Sequence, residues 1–371
     1  MNLLEFLPQC CDSQDYLMLG TACAQDFGQC YDKLRPMGSA LWFSLPYRLG
    51  LPPESLIGAN IFLALLSVVL SSLVFAQLTA RCDHYSPMTK WLIRLLLGGC
   101  NLFVHAVVFS PVIFNSISDA PAALFSLLAI WLLLLNEINR SDSSLMLGIS
   151  GMLFGFSAWI RAFYLYPVLA TFGVFGLCWI KKRNRSYREL ILLVAMIPIG
   201  LQFSATYIRY RYLSYINRED VNEWSQKHLE DQHQGYDTLL PPQGYYWSAN
   251  CAIGGAGNSV RNSICLIAQK FVFYFGSYAP RTYLEAISQR RWSNGLLILN
   301  VSAMFGTGYF FIKRREILRT AGVIAIVYSG CILGEGLLII PEQRFMLFVQ
   351  IIAALVFLET VIYIALHKKH P

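Results

Sequence analysis

Residues 57–79 read IGANIFLALLSVVLSSLVFAQLT and contain no charged side chain. A helix of this length reaches across the hydrocarbon layer of a bilayer, which is about 30 Å thick. The whole chain of 371 residues is 56% hydrophobic and 14% charged, and its mean hydropathy is +0.48. Soluble domains are about 25% charged. The sequence therefore predicts an all-α polytopic membrane protein and argues against a large soluble helical protein.

Apolar stretches of similar length recur along the chain and predict about nine transmembrane helices. The predicted spans are 57–79, 91–112, 120–137, 145–160, 163–180, 189–207, 295–312, 320–340 and 345–366. The predicted organisation is an outer-face loop at 1–56, transmembrane helices over 57–207, an outer-face loop at 208–294, and transmembrane helices with a short cytoplasmic tail over 295–371.

The two long loops carry apolar residues of their own. In residues 1–56 these residues recur at helix-like spacing between polar ones, which predicts short amphipathic helices along the membrane surface. In the second loop, residues 264–278 are apolar but too few to span a bilayer, and they include Lys270. An interfacial or re-entrant helix is predicted there.

The orientation follows from dense positive charge in three segments, at residues 181–185, 313–315 and 368–369. Cytoplasmic loops of membrane proteins carry such an excess of lysine and arginine. If all three segments are cytoplasmic, both long loops lie on the outer face, together with a tight turn at Arg161. The net charge of +7 then reflects membrane orientation, so membrane lipid is a predicted partner and nucleic acid is not.

The ten cysteines and the histidines give no pattern of metal ligands, which leaves the metal unknown. His105 lies inside a predicted span, where a helix–helix hydrogen bond is its expected role. Six cysteines fall in segments predicted to lie outside, where disulfides can form, but their connectivity cannot be read from the sequence. These are Cys10, Cys11, Cys23, Cys30, Cys251 and Cys265.

Three carboxylates fall on the predicted outer side and are the candidate catalytic groups. Asp12 and Asp15 are three residues apart, so they share one face of a helix. Asp119 stands directly before a predicted span, within residues 118–121, which read SDAP. Those residues also suit a helix N-terminus, because Ser or Asp can cap free amides and proline fits the first turn. A capping role for Asp119, and a solvated helix face for Asp12 and Asp15, are the alternatives.

Arginines on the same side are the candidate phosphate ligands. Arg35, Arg161 and Arg344 break the trend that places positive charge inside. The planar guanidinium matches the oxygens of a phosphate, and this would explain such positions. The alternative is that these side chains extend to the membrane interface without a ligand.

Five short motifs resemble one family when they are taken in order. They are DSQDY at 12–16, LRPMGSALWFSLP at 34–46, SDAP at 118–121, GMLFGFSAWIR at 151–161 and EQRF at 342–345. The pattern is similar to that of GT-C fold glycosyltransferases, in particular the bacterial relatives of protein O-mannosyltransferases and aminoarabinose transferases, and it resembles glycosyltransferase family 39. The resemblance therefore runs from residue 12 to about residue 350.

The resemblance implies a GT-C-like fold and transfer of a sugar from a polyprenyl-phosphate donor to an acceptor hydroxyl. The acceptor would be a glycan, a lipid or a protein, at the outer face of the bacterial cytoplasmic membrane. The outer-loop carboxylate Asp12 would act as the base, and Asp119 would orient the acceptor or hold a divalent metal. The implied catalytic residues are Asp12, Asp15 and Asp119, and the implied phosphate ligands are Arg161, Arg344 and Arg35.

Departures from the family pattern keep other functions open. Residues 37–40 replace a proline-rich turn, and Ala162 replaces a proline. The family has a helix before the Asp loop, and none is predicted here, so a short or truncated N-terminus is expected. The alternatives are a transporter or flippase of lipid-linked glycans, a polymerase or ligase of such glycans, and a truncated inactive relative.

Overall fold

The computed structural model describes residues 13–31, 35–80, 86–109, 113, 118–139, 143–165, 168, 188–211, 298–299, 301–305, 351–354 and 357. Every regular element in these residues is helical and none is a strand, which confirms the predicted all-α class for this part of the chain. Single 3-10 turns lie at Phe27–Cys30 and Ala162–Tyr164. The longer helices are α1 (Ser13–Gln25), α2 (Met37–Arg48), α3 (Ser55–Ala80), α4 (Pro87–Phe109), α5 (Asp119–Asn139), α6 (Ser144–Ile160) and α7 (Arg188–Tyr210).

Two of these helices are long and apolar enough to cross a membrane. They are α3 over Ser55–Val74 and α5 over Asp119–Asn136, while α6 is apolar but has only 17 residues. Helices α4 and α7 overlap the predicted spans 91–112 and 189–207. The other four predicted spans lie largely outside the described residues, so the number of nine stays a prediction. Those four are 163–180, 295–312, 320–340 and 345–366.

Helix α5 lies at the centre of the described bundle. Of its apolar stretch, 89% is buried, against 33% of the corresponding stretch in α3. Helix α5 packs against both α3 and α6, α4 packs against α3, and α7 packs against α6. The order of packing is therefore α4, α3, α5, α6, α7. Large, fully buried side chains fill the core of the bundle, among them Trp131, Phe154, Leu124 and Leu127.

A chain of hydrogen bonds joins α3, α4 and α5 inside this apolar core. Nδ1 of His105 lies 2.9 Å from the carbonyl oxygen of Asn101, and it therefore carries the proton, because a carbonyl can only accept. Nε2 of His105 then accepts from the Ser67 hydroxyl at 2.9 Å. The Ser67 oxygen in turn accepts from the Trp131 indole N–H at 2.9 Å. The helix–helix hydrogen bond expected for His105 is confirmed, and each polar group is paired as burial requires.

Helices α6 and α7 meet backbone to backbone at Gly155. A Cβ atom on Gly155 would lie 2.5 Å from the carbonyl oxygen of Ala195 and 2.9 Å from the ring of Pro198. Real Cβ atoms do not approach other heavy atoms this closely. The missing side chain of Gly155 is therefore what lets α7 approach α6 this closely.

Replacing Gly155 by alanine is expected to lower the stability of the bundle, because overpacking of this kind typically costs about 1–3 kcal/mol. Gly200→Ala on α7 is the matched control, since nothing in the described structure lies within 4 Å of the added Cβ. In a helix that second change is neutral or slightly favourable. Thermal unfolding in mild detergent measures both variants. A wild-type midpoint for Gly155→Ala would contradict the close approach of α6 and α7.

Candidate functional site

The site begins with a hairpin formed by α1 and α2, inside the segment predicted to carry amphipathic helices. The two helices pack against each other, and Gly20 of α1 lies directly on the backbone of Phe43 in α2. A disulfide joins Cys23 to Cys30 in the turn that follows α1. The guanidinium of Arg48 donates to the carbonyl oxygen of Cys23 at 2.7 Å. The far end of α1 is thus fixed to the following turn by the disulfide and to α2 by the hydrogen bond from Arg48.

The start of α2 rests on the end of α6. A Cβ atom on Gly38 would lie 2.5 Å from the carbonyl oxygen of Trp159, so the two backbones touch. The Ser39 hydroxyl donates to the carbonyl oxygen of Ile160 at 2.5 Å. Both contacts come from residues 37–40. The missing side chain of Gly38 and the short side chain of Ser39 let the hairpin pack against the bundle.

Arg161 connects three separate parts of the chain at the point where α6 ends. Its Nε lies 3.3 Å from Oδ1 of Asp119. Its Nη1 donates to the Tyr16 hydroxyl at 2.8 Å and to the Ser118 hydroxyl at 3.2 Å. The two hydroxyl oxygens lie 2.7 Å apart and share a hydrogen bond. These four residues, Tyr16, Ser118, Asp119 and Arg161, are called the Arg161 hub below.

Local sequence explains why each residue of the hub stands where it does. Arg161 follows the last residue of α6 in extended conformation, with φ −140° and ψ 117°, so its side chain leaves the helix axis. Asp119 opens α5, where the positive end of the helix dipole stabilises a carboxylate. The carbonyl of Ser118 accepts from the amide of Ala122, which fixes Ser118 against the first turn of α5. The predicted helix end before Arg161 and the predicted helix start at Asp119 are therefore confirmed. The span predicted to follow the turn at Arg161 lies largely outside the described residues.

The charge of Asp119 is wholly buried, while the side chain of Arg161 is 16% exposed. From the described residues, no hydrogen bond reaches either carboxylate oxygen of Asp119. The 3.3 Å approach of the guanidinium is an ion pair whose hydrogen-bond geometry is poor. An isolated buried carboxylate is strongly unfavourable, so the ion pair with Arg161 is what compensates this charge.

A second arginine, Arg35, lies against the ring of Tyr16. The guanidinium carbon of Arg35 lies 4.7 Å from the centre of the Tyr16 ring, and Phe43 stacks on that ring at 4.8 Å between centroids. Nη2 of Arg35 also lies 3.7 Å from Oδ2 of Asp15, whose side chain is 56% exposed. Asp15 and Arg35 therefore form a partly exposed charged pair next to the buried hub.

The structure brings four of the six predicted site residues into one neighbourhood. Asp119 and Arg161 belong to the hub, and Asp15 and Arg35 adjoin it through the ring of Tyr16. The remaining two, Asp12 and Arg344, lie outside the described residues, and their roles stay predictions.

Tyr16 and Ser118 lie within the sequence motifs, but they are not among the predicted site residues. Both side chains are fully buried in the structure. One sequence feature would have singled out Tyr16. It lies on the face of α1 that also carries Gly20 and Cys23, and a tyrosine hydroxyl on a packed face needs a polar partner.

The chemistry available at this place is that of carboxylates, hydroxyls and guanidinium groups. Such groups bind sugar hydroxyls and phosphate oxygens. In the described residues there is no cluster of three or more His, Cys, Asp or Glu side chains that could hold a metal ion. The divalent metal implied for some relatives thus stays an open expectation.

No protein-family model matches the chain, and searches of curated proteins and of solved structures find no match. The resemblance to GT-C glycosyltransferases therefore rests on the sequence motifs.

Removing the arginine of the hub tests whether the ion pair holds the start of α5 against the end of α6. Arg161→Ala leaves the buried carboxylate of Asp119 without its counter-ion, and such a loss typically costs about 3–5 kcal/mol. Adding Asp119→Asn removes the stranded charge, so the double variant is expected to regain part of that loss. Unfolding of the wild type, both single variants and the double variant gives the coupling energy. Losses that simply add would show that the two side chains are not coupled.

Proposed function

We propose that this chain is a membrane glycosyltransferase that moves a sugar from a polyprenyl-phosphate donor to an acceptor hydroxyl. The observation that carries the proposal is the Arg161 hub. It unites three of the motifs that resemble the GT-C family, and its hydrogen bond from Arg161 to Tyr16 joins positions 145 residues apart in sequence. Motifs that belong to one site in an enzyme are expected to meet in space, and these three do so.

The proposed reaction needs one base and one group that stabilises the leaving phosphate. The acceptor oxygen attacks the anomeric carbon of the donor sugar, and its proton passes to the carboxylate of Asp12. The bond between the anomeric carbon and the phosphate oxygen breaks, and polyprenyl phosphate leaves. General-base assistance contributes roughly 10²–10⁴-fold. Inversion at the anomeric carbon is inherited from the family resemblance.

Guanidinium groups would stabilise the leaving phosphate by electrostatic attraction. Arg35 is one candidate, because its guanidinium lies at the partly exposed edge of the hub. Arg344 and Arg161 complete the proposed set. The buried carboxylate of Asp119 fixes the guanidinium of Arg161, so Asp119 would act on the reaction through Arg161 and the placement of the acceptor.

Two further observations support a site on the outer face of the cytoplasmic membrane. Helices α3 and α5 have the length and composition of membrane spans. The disulfide between Cys23 and Cys30 is typical of proteins in oxidising compartments, and it lies in the same hairpin as Asp15 and Arg35. The proposal therefore retains the predicted orientation, with residues 1–56 outside and a glycan, lipid or protein as the acceptor.

Sugar transfer by the purified chain in liposomes tests the proposal. The donors are a panel of polyprenyl-phosphate-linked hexoses and pentoses, and released polyprenyl phosphate is measured. Asp12→Asn is expected to lower the rate by roughly 10²–10⁴-fold, because the base is lost. Asp26→Asn is the matched control and is expected to keep the wild-type rate, since this exposed carboxylate only accepts a local hydrogen bond from the amide of Gly28.

The two parts of the proposal fail in different ways. A wild-type rate for Asp12→Asn would remove Asp12 from the role of base. A wild-type protein that releases no polyprenyl phosphate from any donor would overturn the glycosyltransferase function itself.

A further inference from the structure

Tyr16 makes more contacts with the other groups of the site than a packing residue needs. Its hydroxyl accepts from Arg161 at 2.8 Å and shares a hydrogen bond with Ser118 at 2.7 Å. Its ring is stacked on Phe43 on one side and faces the guanidinium of Arg35. The residue is fully buried. A single side chain thus contacts α2, the start of α5, the end of α6 and the second cation.

The position of Tyr16 in α1 gives these contacts a mechanical consequence. The buried face of α1 carries Ser13, Tyr16, Gly20 and Cys23. At the Cys23 end the helix is fixed by the disulfide to Cys30. At the opposite end, in the first turn, the Tyr16 hydroxyl links α1 to α5 and α6. Rotation of α1 about its axis would break the hydrogen bonds of that hydroxyl.

Asp15 precedes Tyr16 directly and points to the partly exposed side, where it pairs with Arg35. Arg35 is located in turn by the face of the Tyr16 ring, an attraction between a cation and the ring electrons. The direction of the Asp15 carboxylate and the place of the Arg35 guanidinium therefore both depend on Tyr16.

We propose that Tyr16 is a positioning residue of the transfer reaction, which fixes Asp15 and Arg35 relative to Arg161 without touching the substrate. This inference rests on the proposed glycosyltransferase function. The hydroxyl of Tyr16 fixes the rotation of α1 about its axis, and the ring of Tyr16 fixes the position of the Arg35 guanidinium. Misplacement of reacting groups by about 1 Å is enough to lower an enzymatic rate by up to about 10²-fold.

Tyr16→Phe separates these two contributions, because phenylalanine keeps the ring and loses the hydroxyl. The measured quantities are the number of binding sites for radiolabelled polyprenyl phosphate and the turnover of lipid-linked sugar per site. Tyr16→Phe is expected to keep the number of sites and to lower turnover per site by about tenfold, since a hydrogen bond to a charged group is lost. Ser118→Ala, which leaves the bond between Arg161 and Tyr16, is expected to lower it less.

Thr21→Val is the matched control on the same helix, because the Thr21 hydroxyl donates to the carbonyl oxygen of Leu17 in its own helix. Its turnover per site is expected to equal that of the wild type. Wild-type turnover per site in Tyr16→Phe overturns the inference. A loss of sites at constant turnover per site also overturns it, because that result shows a purely structural role. If the wild-type protein itself transfers no sugar, the proposed function is overturned, and this inference is overturned with it.

Discussion

The ion pair between Arg161 and Asp119 is the constraint on which the rest of the site depends. A wholly buried carboxylate needs a counter-charge, and the end of α6 provides it at 3.3 Å from the start of α5. Once the guanidinium is fixed in that place, its Nη1 group donates to the hydroxyls of Tyr16 and Ser118. The first turn of α1 is attached to the bundle in this way.

Small residues allow the helices to come close enough for these contacts. Gly38 places α2 on the end of α6, and Gly155 places α7 on the body of the same helix. Gly20 places α1 on α2. Because these are backbone contacts, the helices cannot shift without losing them, and the side chains of the hub keep fixed distances. Close packing and the buried ion pair therefore support the same arrangement.

The sequence allowed the helical class, the start of α5 at Asp119 and the end of α6 before Arg161 to be predicted, because apolar runs and capping residues act locally. It did not decide between capping and a site role for Asp119, and the structure places this residue at the helix start and in the ion pair. The pairing of Tyr16 with Ser118 spans 102 residues. Cys23 pairs with Cys30, one of several partners that the cysteines of the predicted outer segments offered. Such contacts depend on tertiary packing, which short motifs do not encode.

An experimental density map of the protein with polyprenyl phosphate bound would test the central claim most directly. The expected map shows the guanidinium of Arg161 in contact with the Tyr16 hydroxyl and the Asp119 carboxylate, and places the phosphate of the ligand beside Arg35. A map in which the side chain of Arg161 turns away from Tyr16 and Asp119, towards lipid or solvent, would contradict it.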